Sequence, residues 1–278
     1  MSAGVEQINL IALGAQADDE RRRRHGVKTT FVRVFEAHVD AIPPAMPAGA
    51  TAGEFRLIGK PASANDAVAA VKAALAAAGK VPVTAFSLAD LFEIAGQSIH
   101  GLTELSKRLL DAGLQVVTEA PIDVLPEGVT TPAVQAAVKA GLRVPRLTVR
   151  EAGADARERL IALAVEIHRA GGSVRAFAPL PRVSSVAQPS TGYDDVKTIA
   201  EARLKAHNIE SIQVDWPLYG PKLAQVALAM GADDVDGVSP FEGDLGRRRS
   251  PIEEIRGNIR AAGLDPIERN GLFEPIGQ

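Results

Sequence analysis

The chain has 278 residues, a formal charge of −3, 46% apolar but only 4% aromatic residues, and no cysteine. That length suits one closed α/β barrel or two small domains, and the charge gives no general electrostatic reason to bind nucleic acid or an anionic membrane. The lack of thiols excludes disulfides, thiolate catalysis and any iron–sulfur or zinc site built on cysteine. The opening MSAGVEQINLIALGAQADDE carries no basic segment followed by a long apolar run, and no stretch has membrane-spanning length. A cytoplasmic protein with neither nucleic acid nor membrane as partner is the expectation.

Residues 1–29 read as a helical extension, in which Asp18, Asp19 and Glu20 precede Arg21 to Arg24. This basic run is expected to be a solvated helix face. From residue 30 to 262, strand-length apolar runs alternate with helical periodicity, and Gly or Pro marks each change. Strands are expected near 30–37, 54–59, 81–87, 114–118, 146–151, 173–180, 211–216 and 234–239. Helices are expected near 64–78, 101–112, 131–140, 153–170, 192–206, 221–230 and 251–262. Asp111-Ala112-Gly113, Lys139-Ala140-Gly141 and Ala261-Ala262-Gly263 supply the glycine favoured just past a helix C-terminus. Strand–helix alternation with short connections implies parallel strands joined by right-handed crossovers, and eight units imply a single α/β domain, a (β/α)8 TIM-type barrel, followed by a tail at 263–278.

One crossover breaks the pattern. Between the first two strands lies HVDAIPPAMPAGATAG, where Pro43, Pro44 and Pro47 are incompatible with a helix interior. The first crossover helix is therefore expected to be replaced by a short Pro-rich loop at 39–53.

The stretches TGYDDVKTIAEARL (191–204), GPKLAQVALAMGADDVDG (220–237), RRHGVKTTFV (23–32) and VTAFSLADLFEIAG (83–96) together resemble the radical AdoMet enzymes of the futalosine route to menaquinone, the aminofutalosine synthase and cyclic dehypoxanthine futalosine synthase family. The resemblance spans most of the chain and is strongest at 190–240. It implies a barrel of the radical AdoMet kind whose loop after the first strand holds a cluster on C-x3-C-x2-C. Here the Pro-rich loop stands in that place without cysteine. Where the family has a glycine pair after the second strand, this chain has Gly59-Lys60-Pro61, and where the sixth strand leads into a His-containing segment it has Ala178-Pro179-Leu180-Pro181-Arg182. Neither an iron–sulfur cluster nor the radical chemistry that needs it is expected, and no cofactor is assigned; AdoMet stays open as a ligand.

Ligands of such barrels bind at the C-terminal strand ends. Those ends carry Glu36, His38, Lys60, Ser87, Glu119, Asp123, Arg150, Glu151, Arg182, Asp215, Trp216, Tyr219, Asp236, Ser239 and Glu242. Glu36, His38, Glu119 and Asp215 are the acid–base candidates, and Lys60, Arg150, Arg182, Asp215, Trp216, Tyr219, Lys222 and Asp236 the ligand-binding candidates. Arg146, Thr148 and Arg150 share one strand face, as do Gln213 and Asp215, so polar side chains are expected in the lumen, either around a cavity or as ion pairs that fill it. Pro221 at a helix start, Lys222 and free amides suggest an anion site, with Trp216 and Tyr219 stacking on a flat ligand. Leu223, Val226, Ala227 and Met230 are expected in the core. Thr191 or Asp194 is expected to cap a helix, and Arg247 to Arg249 are a charged loop with phosphate binding as the alternative. The five histidines lack metal-ligand spacing, and no Walker, Rossmann or nucleophile-elbow motif occurs.

Three functions are weighed. The first is a cluster-less binding or partner protein with a nucleoside-like or small anionic ligand, acting beside an active radical AdoMet paralogue. The second is a non-redox barrel enzyme using Glu36, His38, Glu119, Asp215 or Lys60, and the third a structural barrel whose lumen is plugged.

Overall fold

The computed structural model describes residues 9–183, 191–242 and 251–277. Eight parallel strands close a barrel: β1 (Lys28–His38), β2 (Glu54–Ile58), β3 (Val83–Ser87), β4 (Val116–Pro121), β5 (Arg146–Val149), β6 (Ala176–Pro181), β7 (Ser211–Asp215) and β8 (Asp234–Val238), with β8 returning to β1. All eight expected strands are present. Helices α1 (Leu10–His25), α2 (Ala64–Ala78), α3 (Leu88–Ile94), α4 (Ile99–Asp111), α5 (Thr130–Lys139), α6 (Arg157–Arg169), α7 (Gly192–Lys205), α8 (Trp216–Ala229) and α9 (Pro251–Ala261) accompany them. Helix starts are set by hydroxyl caps: Ser63, Ser98 and Thr191 accept from the amides of Asp66, Gly101 and Asp194. The alanine-rich inner faces of α2 and α5 let these helices lie close on the strands, which suits a core poor in aromatic residues.

The Pro-rich crossover at 39–53 contains no helix. Its backbone is instead pinned to neighbours: Met46 N donates to Ala77 O, Thr51 N to Pro240 O and Gly53 N to Arg33 O, at 2.8–2.9 Å. A chain that cannot form internal helical bonds thus finds partners outside itself.

Where the sequence promised only a tail, the chain adds a ninth strand, β9 (Asp265–Glu268), parallel to Lys28–Phe31. The pairing has a geometric reason. Short β2 covers β1 only from Val34 onward, and β9 takes the lower part of that strand left free. The following Arg269 turns into the barrel and is 1% exposed.

Three other expectations are corrected. Arg21 to Arg24 are not simply a solvated face: Arg21 is fully buried, and Arg24 donates to the carbonyls of Ile209 and His207 beyond α7, at 2.9 and 3.0 Å. Helix α8 begins at Trp216 and kinks at Gly220 (φ 70°) before Pro221. That kink rotates its apolar stripe, so Ala224, Ala227 and Leu228 are buried while Val226 is exposed and Leu223 and Met230 only half-buried. Short α3, after β3, was not anticipated; Ser87 Oγ accepts from Ala89 N at its start.

Candidate functional site

The lumen is lined by polar side chains in place of the usual branched apolar layers. Strand alternation puts Glu54 and Arg56 of β2, Thr84 of β3, Arg146 and Thr148 of β5, Gln213 of β7, and Asp234 and Asp236 of β8 inside, all buried. Arg56 donates through Nε to Glu54 Oε1 at 2.8 Å and through both terminal nitrogens to Asp236 at 2.8 and 3.1 Å. Arg146 lies 3.1 Å from Asp236 and 3.5 Å from Glu54. Thr84 Oγ1 donates to Glu54 Oε1 at 2.6 Å. Lower down, Arg269 holds both oxygens of Asp234 at 2.7 Å, and Gln213 Nε2 donates to one of them at 2.6 Å.

These contacts fix the charges. Burial alone would raise Glu54, but Arg56 and Arg146 outweigh it and bring its carboxyl from 4.5 down to about 2. Asp236 follows the same logic: burial is overcome by Arg146 and Arg56, which hold it well below the ordinary carboxylate range. Arg146 is pushed below its ordinary value by burial and then by the charge of Arg56. Its Nε and Nη1, Thr148 Oγ1, Glu54 Oε2 and Gln213 Oε1 form no hydrogen bond in the buried lumen. The interior is a network of ion pairs with unspent hydrogen-bonding capacity.

Above it, Arg182 at the end of β6 spans the mouth, with Glu119, Asp215 and Asp236 at 3.4–3.6 Å. Arg150 lies 3.9 Å from Glu119. Lys60 pairs with Glu93 of α3. Arg182, Arg150 and Lys60 side chains are 20%, 32% and 44% exposed, so this rim of ion-paired cations reaches solvent. Two carboxyls beside it are raised: Asp215 by burial and by the charge of Asp236, and Asp90 of α3 by burial against the opposing pull of Arg150 and Lys60. Phe86, just before Ser87, has φ 63° at the β3 end of the same mouth, a costly conformation for an aromatic residue.

The predicted residues separate into groups. Glu119, Arg150, Arg182, Asp215 and Lys60 gather at the mouth. Asp236 is spent on three arginines inside. Glu36, half-exposed, lies 3.5 Å from Arg56. His38, about half-exposed, packs beneath Gly59 and lies 3.4 Å from Asp40. Asp123 accepts from the amides of Arg150, Glu151 and Ala152 and so shapes the β5 loop. Ser239 Oγ accepts from Phe241 N. Asp215 accepts from Leu218 N at 3.0 Å, capping α8. Trp216 is buried in the core, and Tyr219, its phenol raised by burial, donates to Pro181 O at 2.5 Å. Lys222 is exposed on the outer side, in a groove with Gln225, Met230 and Ala261. Neither aromatic ring is presented as a free stacking platform, and Lys222 does not reach the mouth. The Arg247 to Arg249 loop lies outside the described residues. Sequence reasoning missed Glu54, Arg56, Asp90, Asp234 and Arg269; the period-2 alternation of EFRLI and DVDGV carries the signal for three of the lumen residues.

A thiolate-held cluster does not fit this site. The 39–53 crossover offers no thiol, and at the end of β2 the backbone turns at Gly59 (φ 90°), where a Cβ would stand 2.4 Å from His38 Nε2. Among the described residues no group of three or more His, Asp or Glu side chains is arranged to hold a metal ion, and no helix is long and apolar enough to cross a membrane.

No protein-family profile matches the chain. One stretch is 35% identical over 100 residues to the aminodeoxyfutalosine synthase of Streptomyces coelicolor, covering 34% of this chain and 26% of that protein. Another match is 34% identical over 121 residues to the 5-amino-6-(D-ribitylamino)uracil--L-tyrosine 4-hydroxyphenyl transferase of Archaeoglobus fulgidus, covering 39% and 35%. The matched stretches thus span about a quarter to a third of these curated relatives' length. Among solved structures, methylornithine synthase superposes over 96% of this chain and 90% of its own with a TM-score of 0.58 at 15% identity. The FeFe-hydrogenase maturase of Carboxydothermus hydrogenoformans does so over 93% and 72% with a TM-score of 0.61 at 11% identity; both show the fold alone. The closed parallel barrel is thus the fold of these solved structures, and over about a third of its length this cysteine-free chain is similar to futalosine-route synthases and related transferases.

Proposed function

We propose that the protein is a non-redox member of its family that binds a small anionic, nucleoside-like ligand at the barrel mouth and acts as a binding partner of a cysteine-bearing radical AdoMet paralogue. One observation carries the reading: the crossover after β1, where the resemblance puts a cluster loop, is Pro-rich and has no cysteine, and Lys60, Arg150 and Arg182 form a solvent-reaching rim at the C-terminal strand ends. Arg182 is held by Glu119, Asp215 and Asp236, so the more exposed Arg150 and Lys60 are the cations an anion meets first. Beneath the rim, the ion-pair network makes a polar floor.

Calorimetry against AdoMet, S-adenosylhomocysteine, futalosine-type nucleosides and inorganic phosphate tests this reading. Saturable binding by one class, weakened about tenfold or more by Arg150→Ala, is expected from loss of a hydrogen bond to a charged group. Absence of binding by every member would remove the mouth site.

Asp215 and Asp90 favour a second reading, a barrel enzyme doing acid–base chemistry. Both carboxyls are raised beside cations at the mouth, the pattern of groups poised for proton transfer. Turnover of a bound ligand that is abolished by Asp215→Asn but retained in Glu36→Gln would select this reading over pure binding.

A further inference from the structure

At the N-terminal strand ends, opposite the mouth, lies a cavity of about 450 Å3 that the proposed function does not use. That volume is in the range of small-molecule sites, roughly 300–1,000 Å3. Its floor is apolar, with Val116, Pro145 and Val174 at the starts of β4, β5 and β6, and its outer wall is the C-terminal hairpin at Leu272 and Phe273.

The polar groups around this floor have spare capacity. His168, in the last turn of α6, lines the cavity with Nδ1 buried and unpartnered, and its ring has no hydrogen bond or ion pair among the described residues. A buried ring nitrogen without a partner calls for one from a ligand or water. Arg143 and Arg175 flank it. Each is tethered through Nη2 alone, to Gln115 and Glu210 respectively, leaving Nε and Nη1 unspent. The acid on the rim, Glu274, already accepts from Asn270 Nδ2 at 3.0 Å. Phe273 holds φ 65°, and its ring carries the Arg269 guanidinium at 4.0 Å. Strain of this kind on a bulky residue persists only where surrounding contacts enforce it, and it collects at ligand walls and switches.

We propose that this cavity is a second binding site, for a small organic anion whose carboxylate or phosphate head meets Arg143, Arg175 and His168 while its apolar body lies on Val174, Leu272 and Phe273. The remaining N–H donors of the two guanidiniums make charge-assisted hydrogen bonds with either head group. The ligand would sit one aromatic ring away from the Arg269–Asp234 pair, which gives the site a physical route to the lumen. Charge and apolar surface are both required, since the guanidiniums are exposed enough that an anion alone gains little there.

Calorimetry on the full-length protein decides the matter, with phenylacetate, phenyl phosphate, inorganic phosphate and benzyl alcohol as probes. Saturable binding of at least one aryl anion is expected, with the alcohol and inorganic phosphate at least tenfold weaker. Whichever aryl anion binds more tightly identifies the head group. Arg143→Ala and Arg175→Ala should each weaken that probe about tenfold while leaving the thermal midpoint nearly unchanged. Arg150→Ala, at the opposite mouth, should leave its affinity unchanged. The proposal is overturned by lack of saturation with both aryl anions up to about 10 mM, by affinities indifferent to the Arg143 and Arg175 variants, or by loss of binding in Arg150→Ala, which would put the probe at the mouth.

Discussion

At the scale of single residues, the consequences of burial can be weighed directly. Asp234 is fully buried, and Arg269 supplies two of its hydrogen bonds. Removing one member of a buried pair strands the other charge, at about 3–5 kcal/mol. Arg269→Ala should therefore lower unfolding stability in urea by that amount, whereas Lys205→Ala, which breaks the exposed pair with Glu158, should change it by about 0–1 kcal/mol. Equal effects would mean that the lumen is hydrated well enough to screen its own charges. Gly59 presents a different balance. Its φ of 90° disfavours any side chain, and an added Cβ would stand 2.4 Å from His38 Nε2. Gly59→Ala should cost about 1–3 kcal/mol, mainly from backbone strain, because the half-exposed His38 ring can turn aside. In a His38→Ala background the strain remains, so the cost should fall by less than about 1 kcal/mol, a small coupling that a double-mutant cycle measures.

Among elements, the informative cases are those where tertiary contacts overrode local pattern. Helix α1 looks like a charged surface helix, yet Arg24 reaches carbonyls 183 and 185 residues away. Arg24→Ala should cost about 1–2 kcal/mol, because two carbonyls at the end of α7 lose their donors, and Arg23→Ala, which removes an exposed side chain paired only with Glu20, much less. Thermal melts of the two variants separate a tertiary clamp from a solvated run. Hairpin β9 gives a larger effect. Its pairing covers the lower edge of β1, and Gly271 presses on Glu54 so closely that a Cβ there would lie 2.9 Å from Glu54 Cγ. Deleting residues 265–278 should expose a paired strand edge and leave Asp234 without Arg269. The expected outcome is loss of the cooperative thermal transition, or association visible in sedimentation, rather than a small shift in midpoint.

For the whole molecule, the barrel was legible because its signals are local: eight apolar runs, helices ending before Ala-Gly, and three prolines that forbid the first crossover helix. Polar alternation in RLTV and SIQVD also forecast a charged lumen, and Arg146, Thr148 and Gln213 are inside it. What the sequence concealed depends on register and distance. No local pattern joins Arg269 to Asp234 across 35 residues, or shows that Asp236 meets Arg56 and Arg146 inside the lumen. The closed lumen gives the molecule a definite pH response. Glu54 sits at about 2 when folded against an ordinary 4.5, and Asp236 is depressed too. For a depressed acid the stabilisation is complete above its unfolded value and disappears as pH falls towards its folded one, so the loss runs from about 4.5 down to about 2. Glu54 alone accounts for about 3 kcal/mol across that window, a large share of a typical domain stability of about 5–15 kcal/mol. Asp215 and Asp90 act in the opposite sense, since raised carboxyls hold their protons more tightly in the fold and gain stability on protonation. They soften the upper part of the fall without reversing it. Trp216, the only tryptophan and buried in the core, gives the readout. Urea titrations followed by its fluorescence at pH 7, 4.5 and 3 should show a nearly constant midpoint between the first two and a marked drop at the third. A midpoint unchanged at pH 3 would mean that the lumen carboxylates are not held by Arg56 and Arg146, and the charged floor beneath the mouth would have to be abandoned with them.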